Sequence, residues 1–166
     1  MPAGQPGELW VSSPFVMYGY LDDPISTAEV LTDGWYHTGD VFRQDERGLY
    51  FFLDRISAMI KTGGENVYPN EVESVLRKHP SVMDCAVFSV PDPKWGEAVA
   101  AALVPEDGSI DLRDVHAFAK ENLAGYRKPQ YYTVLSELPK TASGKTDRRA
   151  LKESNSCTLT SIKELE

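Results

Sequence analysis

The chain has 166 residues, 42% of them apolar and 25% charged, a soluble globular composition with room for one ordinary domain, or a small domain with a piece of another attached. Its 17 Lys and Arg stand against 25 Asp and Glu, a net charge of −8. That makes it a poor general binder of nucleic acid, whose affinity comes largely from neutralising phosphates. One local basic site for a small phosphate ligand is still open, near Arg127, Lys128, Lys140, Lys145, Arg148 and Arg149. No apolar run is long enough for a membrane span, and residues 1–10 lack the basic-then-apolar order of a secretory signal.

Taken in chain order, residues 8–12 (ELWVS) alternate like a short strand, and residues 36–42 and 49–53 read as a hairpin around the turn cluster 44–48 (QDERG). A hairpin plus one strand rarely stands alone, so the first 53 residues are expected to belong to a sheet or barrel completed elsewhere. From Asp54 the pattern changes. Residues 61–66 (KTGGEN) form a glycine loop. A helix is predicted over 69–78, with Pro69 at its start, Val72, Val75 and Leu76 on one face, and Pro80 ending it.

Residues 82–90 (VMDCAVFSV) and 98–104 (AVAAALV) read as buried strands joined by a turn at 91–96. Asp111 caps a second helix that turns Leu112, Val115, Phe118 and Ala119 inward, with Gly125 at its C-terminal cap. A third strand is predicted at 131–135, a loop at 141–145 (TASGK), and a short last helix from Asp147 to Lys152. Helix, strand, strand, helix, strand, helix is a small α+β domain with helices packed on a short sheet. Residues 153–166 read as a polar tail without fixed structure.

Cys85 lies in an apolar run and reads as a buried thiol, and Cys157 lies in the tail. With no CxxC spacing and with His37, His79 and His116 scattered, no metal site is expected. The expected setting is reducing and cytoplasmic.

Three clusters carry chemistry: residues 33–40 (DGWYHTGD); Asp54-Arg55 followed by the loop 61–66; and residues 139–145 (PKTASGK). Each alone is weak, since a TGD tripeptide arises by chance, a glycine pair usually just turns the chain, and SGK is commonly a surface loop. In this order, with the surrounding text GELWVSSPFVMYGY (7–20), GLYFFLDRISAMIKTGGENVYPNEVE (48–73) and LPKTASGKTDRRAL (138–151), the chain resembles the late motifs of the adenylate-forming superfamily. That superfamily includes acyl-CoA ligases, peptide-synthetase adenylation domains and beetle luciferases. The resemblance covers roughly residues 7–152. It implies that residues 1–53 close the β-barrel of a large N-terminal domain and that residues 54–152 form the mobile C-terminal domain.

The family joins a carboxylic acid to ATP, giving an acyl-adenylate and pyrophosphate, and passes the acyl group to a thiol. Bringing a carboxylate against a phosphate needs added positive charge in the transition state, and Lys145 matches the family's catalytic lysine. Its alternative is an ordinary exposed lysine. Asp40 matches the carboxylate that accepts from both ribose hydroxyls, against a plain turn aspartate. Arg55 resembles an arginine beside the same ribose, against a surface salt bridge. Ser57 falls at the hinge between the two steps, where many members carry Asp or Lys; a hinge needs only backbone freedom.

The resemblance assigns Gly63, Gly64 and Glu65 to the CoA channel, where two glycines let the backbone approach a slender pantetheine arm. It also assigns Trp95 to the channel wall, Lys61 to assisting the second step, and Lys128, beside Arg127, to the 3′-phosphate of CoA. A packing role for Trp95 and a solvated turn for Lys128 stay open, and Gln130 replaces a basic residue of some relatives. Magnesium is expected with ATP, though not bound by these residues.

GGENVYPNEVE favours an acyl-CoA ligase, with a fatty acid as the first expectation and an aromatic acid as the second. An adenylation domain serving a carrier protein is the alternative, but no carrier signature follows Lys152. A non-catalytic docking module is the third reading, and the joint presence of Asp40, Arg55 and Lys145 argues against it. The phosphate-binding loop and acid pocket are absent from the sequence, so the expected partners are the missing N-terminal domain of the same polypeptide, a small carboxylic acid and CoA. The chain by itself is expected to be inactive.

Overall fold

The computed structural model describes residues 3–153 and 159–165; Cys157 lies outside them. The chain divides into two compact units, Met1–Ser57 and Ala58–Glu166.

In the first unit β1 (Pro6–Val11) is followed by a short helix α1 (Pro24–Val30), β2 (Leu31–Thr32), β3 (Trp35–Gln44) and β4 (Tyr50–Arg55). β3 is the central strand, and β1, β2 and β4 all pair with it antiparallel. The expected hairpin is β3–β4. Its turn is held by Asp45, whose carboxylate accepts from the backbone N–H groups of Arg47 and Leu49 at 2.9 Å each. Helix α1 has no apolar periodicity to announce it. It is set by local capping: Asp23 accepts from Ser26 N–H, and Pro24 supplies a helical φ at the first position. Large apolar side chains stand in solvent here, Phe15, Tyr18 and Leu21 among them.

In the second unit β5 (Ile60–Thr62) and β6 (Glu65–Val67) precede α2 (Pro69–Leu76), then β7 (Val82–Asp92), β8 (Gly96–Pro105), α3 (Leu112–Asn122), β9 (Tyr131–Val134), α4 (Arg148–Glu153), β10 (Thr160–Ser161) and α5 (Ile162–Leu165). They build a six-stranded sheet around β8, which pairs antiparallel with β7 and β5 and parallel with β9. The expected glycine loop is therefore a hairpin in its own right. Thr62 faces Glu65 across the two-residue turn Gly63-Gly64, with φ of +57° and +87°, the left-handed pair that such a tight turn demands. Gly125 does not cap α3. The helix stops at Leu123, and Gly125 opens a separate 3-10 turn, Gly125–Arg127. The tail contributes β10, paired with β9, where the sequence reads as unstructured.

The unbroken apolar runs of β7 and β8 follow from burial of both faces. Cys85, Val87, Val99, Ala101 and Leu103 point into one core with Val72 and Leu76 of α2 and Val115 and Ala119 of α3. The alternate residues Ala86, Phe88, Ala100, Ala102 and Val104 point into a second core with Leu138 and Leu151. Among the described residues no helix is long and apolar enough to cross a membrane.

Candidate functional site

Asp40 and Arg55 lie opposite each other across β3 and β4, and Arg55 Nε stands 3.1 Å from Asp40 Oδ1. The approach is an ion pair by distance but not a directed hydrogen bond, because Asp40 Oδ1 is buried and accepts no hydrogen bond. A shielded carboxylate oxygen in this condition is a ready acceptor for a ligand hydroxyl. Arg55 is 65% exposed.

The part of β3 that carries Asp40 is braced by residues of the motif runs that have no assigned role. Thr38 Oγ1 donates to Leu9 O at 2.7 Å. One Glu8 oxygen accepts from Gly39 N–H at 3.0 Å and the other from Trp10 Nε1 at 2.7 Å. The Trp10 ring stacks on His37 at 3.9 Å. Glu8, Trp10 and His37 alternate along neighbouring strands, so only strand register reveals that they meet.

Lys145 is exposed but stands on a fixed stem. Lys140 bridges Thr146, Thr141 N–H donates to Lys145 O at 2.8 Å, and Asp147 N–H donates to Pro139 O at 2.8 Å. Leu138 before the loop and Leu151 after it are both buried in the second core. Arg148 then reaches inward. It donates to Glu73 Oε1 at 2.7 Å and to Val87 O at 3.1 Å. Glu73, 3% exposed, also accepts from Val87 N–H at 2.8 Å and pairs with Arg77 at 3.2 Å. A buried carboxylate with this many donors is fully satisfied, and it ties the lysine loop to α2 and β7.

The hairpin turn at Gly63 packs against Trp95. Gly63 N–H donates to Trp95 O at 3.0 Å, and a Cβ on Gly63 would lie 2.7 Å from Trp95 Cε3. Thus Gly63 is required by two things at once, its left-handed backbone and the ring above it. Beside them runs a cleft of about 210 Å³ lined by Thr62, Gly63, Glu65, Trp95, Tyr126 and Gln130, with Gly125.

Of the residues assigned to the CoA channel, Gly63, Glu65 and Trp95 line this cleft, whereas Gly64 and Lys128 do not. Lys61 is exposed on the same hairpin, its N–H donating to Glu97 at 3.0 Å. Arg127 is engaged elsewhere, 3.5 Å from Glu71. Tyr126 stands in the segment Tyr126-Arg127-Lys128-Pro129 without an assigned role; its place follows from the 3-10 turn that replaces the expected helix cap.

A small α+β domain of this kind matches the C-terminal domain of adenylate-forming enzymes. Residues 71–145 match the family described as AMP-binding enzyme C-terminal domain, and these residues belong to that family.

A feruloyl-CoA synthase of an Amycolatopsis species is 49% identical over 146 residues, 87% of this chain and 30% of that protein. A long-chain-fatty-acid–CoA ligase of Escherichia coli is 42% identical over 153 residues, 92% of this chain and 27% of that protein. The structure of o-succinylbenzoate CoA synthetase from Bacillus subtilis, in complex with its acyl-adenylate intermediate, superposes with a TM-score of 0.87 at 37% identity, covering 95% of this chain and 32% of that one. The chain thus spans about 30% of the length of the curated relatives it matches.

Proposed function

We propose that this chain supplies the adenylation lysine and part of the CoA channel of an ATP-dependent acyl-CoA ligase, which converts a carboxylic acid, ATP and CoA to acyl-CoA, AMP and pyrophosphate. The observation that carries the reading is the pairing of two features at the motif positions. One is the buried Asp40 oxygen that accepts no hydrogen bond, and the other is Lys145 held out on a stem anchored by Leu138, Leu151 and Arg148. A merely structural domain needs neither.

In this reading the ribose hydroxyls of ATP donate to Asp40, with Arg55 beside them. The Lys145 ammonium sits between the attacking carboxylate and the α-phosphate and offsets the charge that builds as they approach. A braced loop suits that task, because a charge already in place needs no reorganisation at the moment of reaction. Ser57, at the division between the two compact units, serves as the hinge between the two half-reactions. In the second step the pantetheine arm lies in the cleft under Trp95, along Gly63 and Glu65, and Lys61 assists from the same hairpin. The phosphate-binding loop and the acid pocket belong to the N-terminal domain of the longer polypeptide, working in a cytoplasmic setting with magnesium brought by ATP.

The test is AMP release by the full-length polypeptide with ATP, magnesium and a panel of fatty and aromatic acids, with and without CoA. Release that requires CoA and one class of acids supports the reading and identifies the substrate class. Acid-dependent pyrophosphate exchange indifferent to CoA shows that another acceptor, such as a carrier protein, takes the acyl group, and the CoA roles of Gly63, Gly64, Glu65, Trp95 and Lys128 then fall.

A further inference from the structure

Asp40 sits in a break of strand register, not in a regular ladder. Against β1, Glu8 faces Val41 and Trp10 faces His37, so Thr38, Gly39 and Asp40 together stand opposite the single residue Leu9. A bulge of this kind bends its strand and re-aims a side chain, and its irregular backbone needs hydrogen-bond partners of its own. Gly39, at its middle, has a left-handed φ of +70°. Beyond its chain neighbours, no atom lies within 4 Å of where a Cβ would stand, so the glycine is required by backbone conformation alone.

Side chains supply the partners. Thr38 Oγ1 donates to Leu9 O at 2.7 Å and accepts from Asp40 N–H at 3.1 Å. Thr38 belongs to the bulge itself, whereas Glu8 reaches it from the neighbouring strand. Glu8 Oε1 accepts from Gly39 N–H at 3.0 Å, and Glu8 Oε2 accepts from the Trp10 indole N–H at 2.7 Å. Glu8 stands at one end of the bulge and Trp10 at the other, so this one carboxylate joins both ends to the residue before Asp40. Both of its oxygens face N–H donors. An ionised carboxylate is acceptor-only and suits both, while a carboxamide would turn its own N–H groups towards one of them.

We infer that Glu8 is a positioning residue, which fixes the Gly39 bulge and so sets Asp40 where its carboxylate accepts from both ribose hydroxyls. The inference rests on the reading of Asp40 as the ribose acceptor and adds to it a residue that does not itself touch the nucleotide. Two hydroxyls must come within hydrogen-bond range of one carboxylate, so a small displacement of the backbone weakens both contacts together.

The experiment compares pyrophosphate exchange by the full-length polypeptide, with an acid that supports activity, using ATP and 2′,3′-dideoxy-ATP, which lacks both hydroxyls. The wild-type protein is expected to favour ATP in kcat/KM. Glu8→Ala is expected to lose about 10-fold with ATP, the lower end of the scale for one hydrogen bond to a charged group, and to leave the dideoxy nucleotide unaffected. Glu8→Gln keeps the size of the side chain and one of its two acceptors. It is expected to fall between, and it carries the comparison if Glu8→Ala does not fold. In an Asp40→Asn background, Glu8→Ala is expected to add no further loss with ATP.

Equal loss with both nucleotides overturns the inference, because Glu8 then supports the sheet and not the ribose contact. Wild-type rates in Glu8→Ala overturn it as well. Either result leaves Asp40 as the ribose acceptor where the wild-type protein discriminates between the nucleotides. A wild-type protein that uses both alike removes the Asp40 reading and the inference with it.

Discussion

Lys145 and Cys85 lie at opposite extremes of burial, one exposed and the other packed in the core. Lys145 stands in solvent on a loop whose backbone is closed at both ends. In the full-length polypeptide, Lys145→Ala is expected to cut adenylate formation by roughly 10²-fold, the cost of one lost charge stabiliser. It should spare thioester formation from a supplied acyl-adenylate. Comparing acid-dependent pyrophosphate exchange with thioester formation checks this, and equal loss in both would assign the lysine to folding or to both steps.

Cys85 is fully buried, and desolvation pushes its thiol up to about 12 from an ordinary value of 9.0. Below pH 9 the thiol is neutral in both folded and unfolded chains. Above it the unfolded chain ionises first, so this contribution to stability is lost as pH climbs from 9 towards 12. In a Cys157→Ser background, Cys85 is expected to resist alkylation in the native protein at pH 8. The stability gap between that protein and its Cys85→Ala variant should narrow between pH 8 and pH 10.5 in denaturant titrations. Rapid native alkylation would contradict the burial.

At the scale of elements, the hairpin β5–β6 and the anchor of α4 are the two devices that matter for the site. Gly63→Ala meets a left-handed backbone and the Trp95 ring together. The backbone conformation alone costs about 1–2 kcal/mol, and the ring must shift as well. The expected result is a protein less stable by that amount whose Trp95 indole resonance moves. A variant with unchanged stability and an unmoved indole would show that the ring does not rest on Gly63.

Arg148→Ala removes the donor that reaches Glu73 Oε1 and leaves a carboxylate that is 3% exposed with Arg77 and one backbone N–H. A loss of about 3 kcal/mol is expected, in the range for breaking a buried pair. Hydrogen exchange in loop 141–147 should rise more than in β8, because α4 holds the loop's far end. Uniform exchange changes would deny the anchor a local role.

The elements α2, α3, β7 and β8, and the shorter β9, are legible because their apolar positions repeat with a clear period or run unbroken. The other short ones, α1, β2, β6 and β10, are not. α1 rests on its cap at Asp23 and Pro24 rather than on a period, β2 and β6 are two- and three-residue strands closed by tight turns, and β10 forms only through a partner distant in sequence, as Thr160 and Ser161 do against Tyr132 and Tyr131.

At the scale of the whole molecule, the first unit leaves Phe15, Tyr18, Leu21 and Ile25 at least three-quarters exposed, and the chain spans about 30% of its curated relatives. The 166-residue chain alone is therefore expected to release no pyrophosphate from ATP with any acid of the panel. Measurable release would show that these residues contain a complete site.

What the sequence by itself determined is the set of chemical groups and their order. The runs DGWYHTGD, KTGGEN and PKTASGK, in that succession, carried the family resemblance and the lysine and carboxylate candidates, and the order of apolar periods carried the α+β class, because such patterns are local and survive being read as text. What only the tertiary structure decided is which groups meet. The Arg55 approach to Asp40 comes from β3–β4 register. The Glu73–Arg148 anchor joins positions far apart in the chain. The meeting of tail residues 161–163 with Asp92 and Trp95 at one cleft depends on a tail strand that pairs with β9. Contacts of this kind depend on sheet order and side-chain direction, which residue spacing along a chain does not encode.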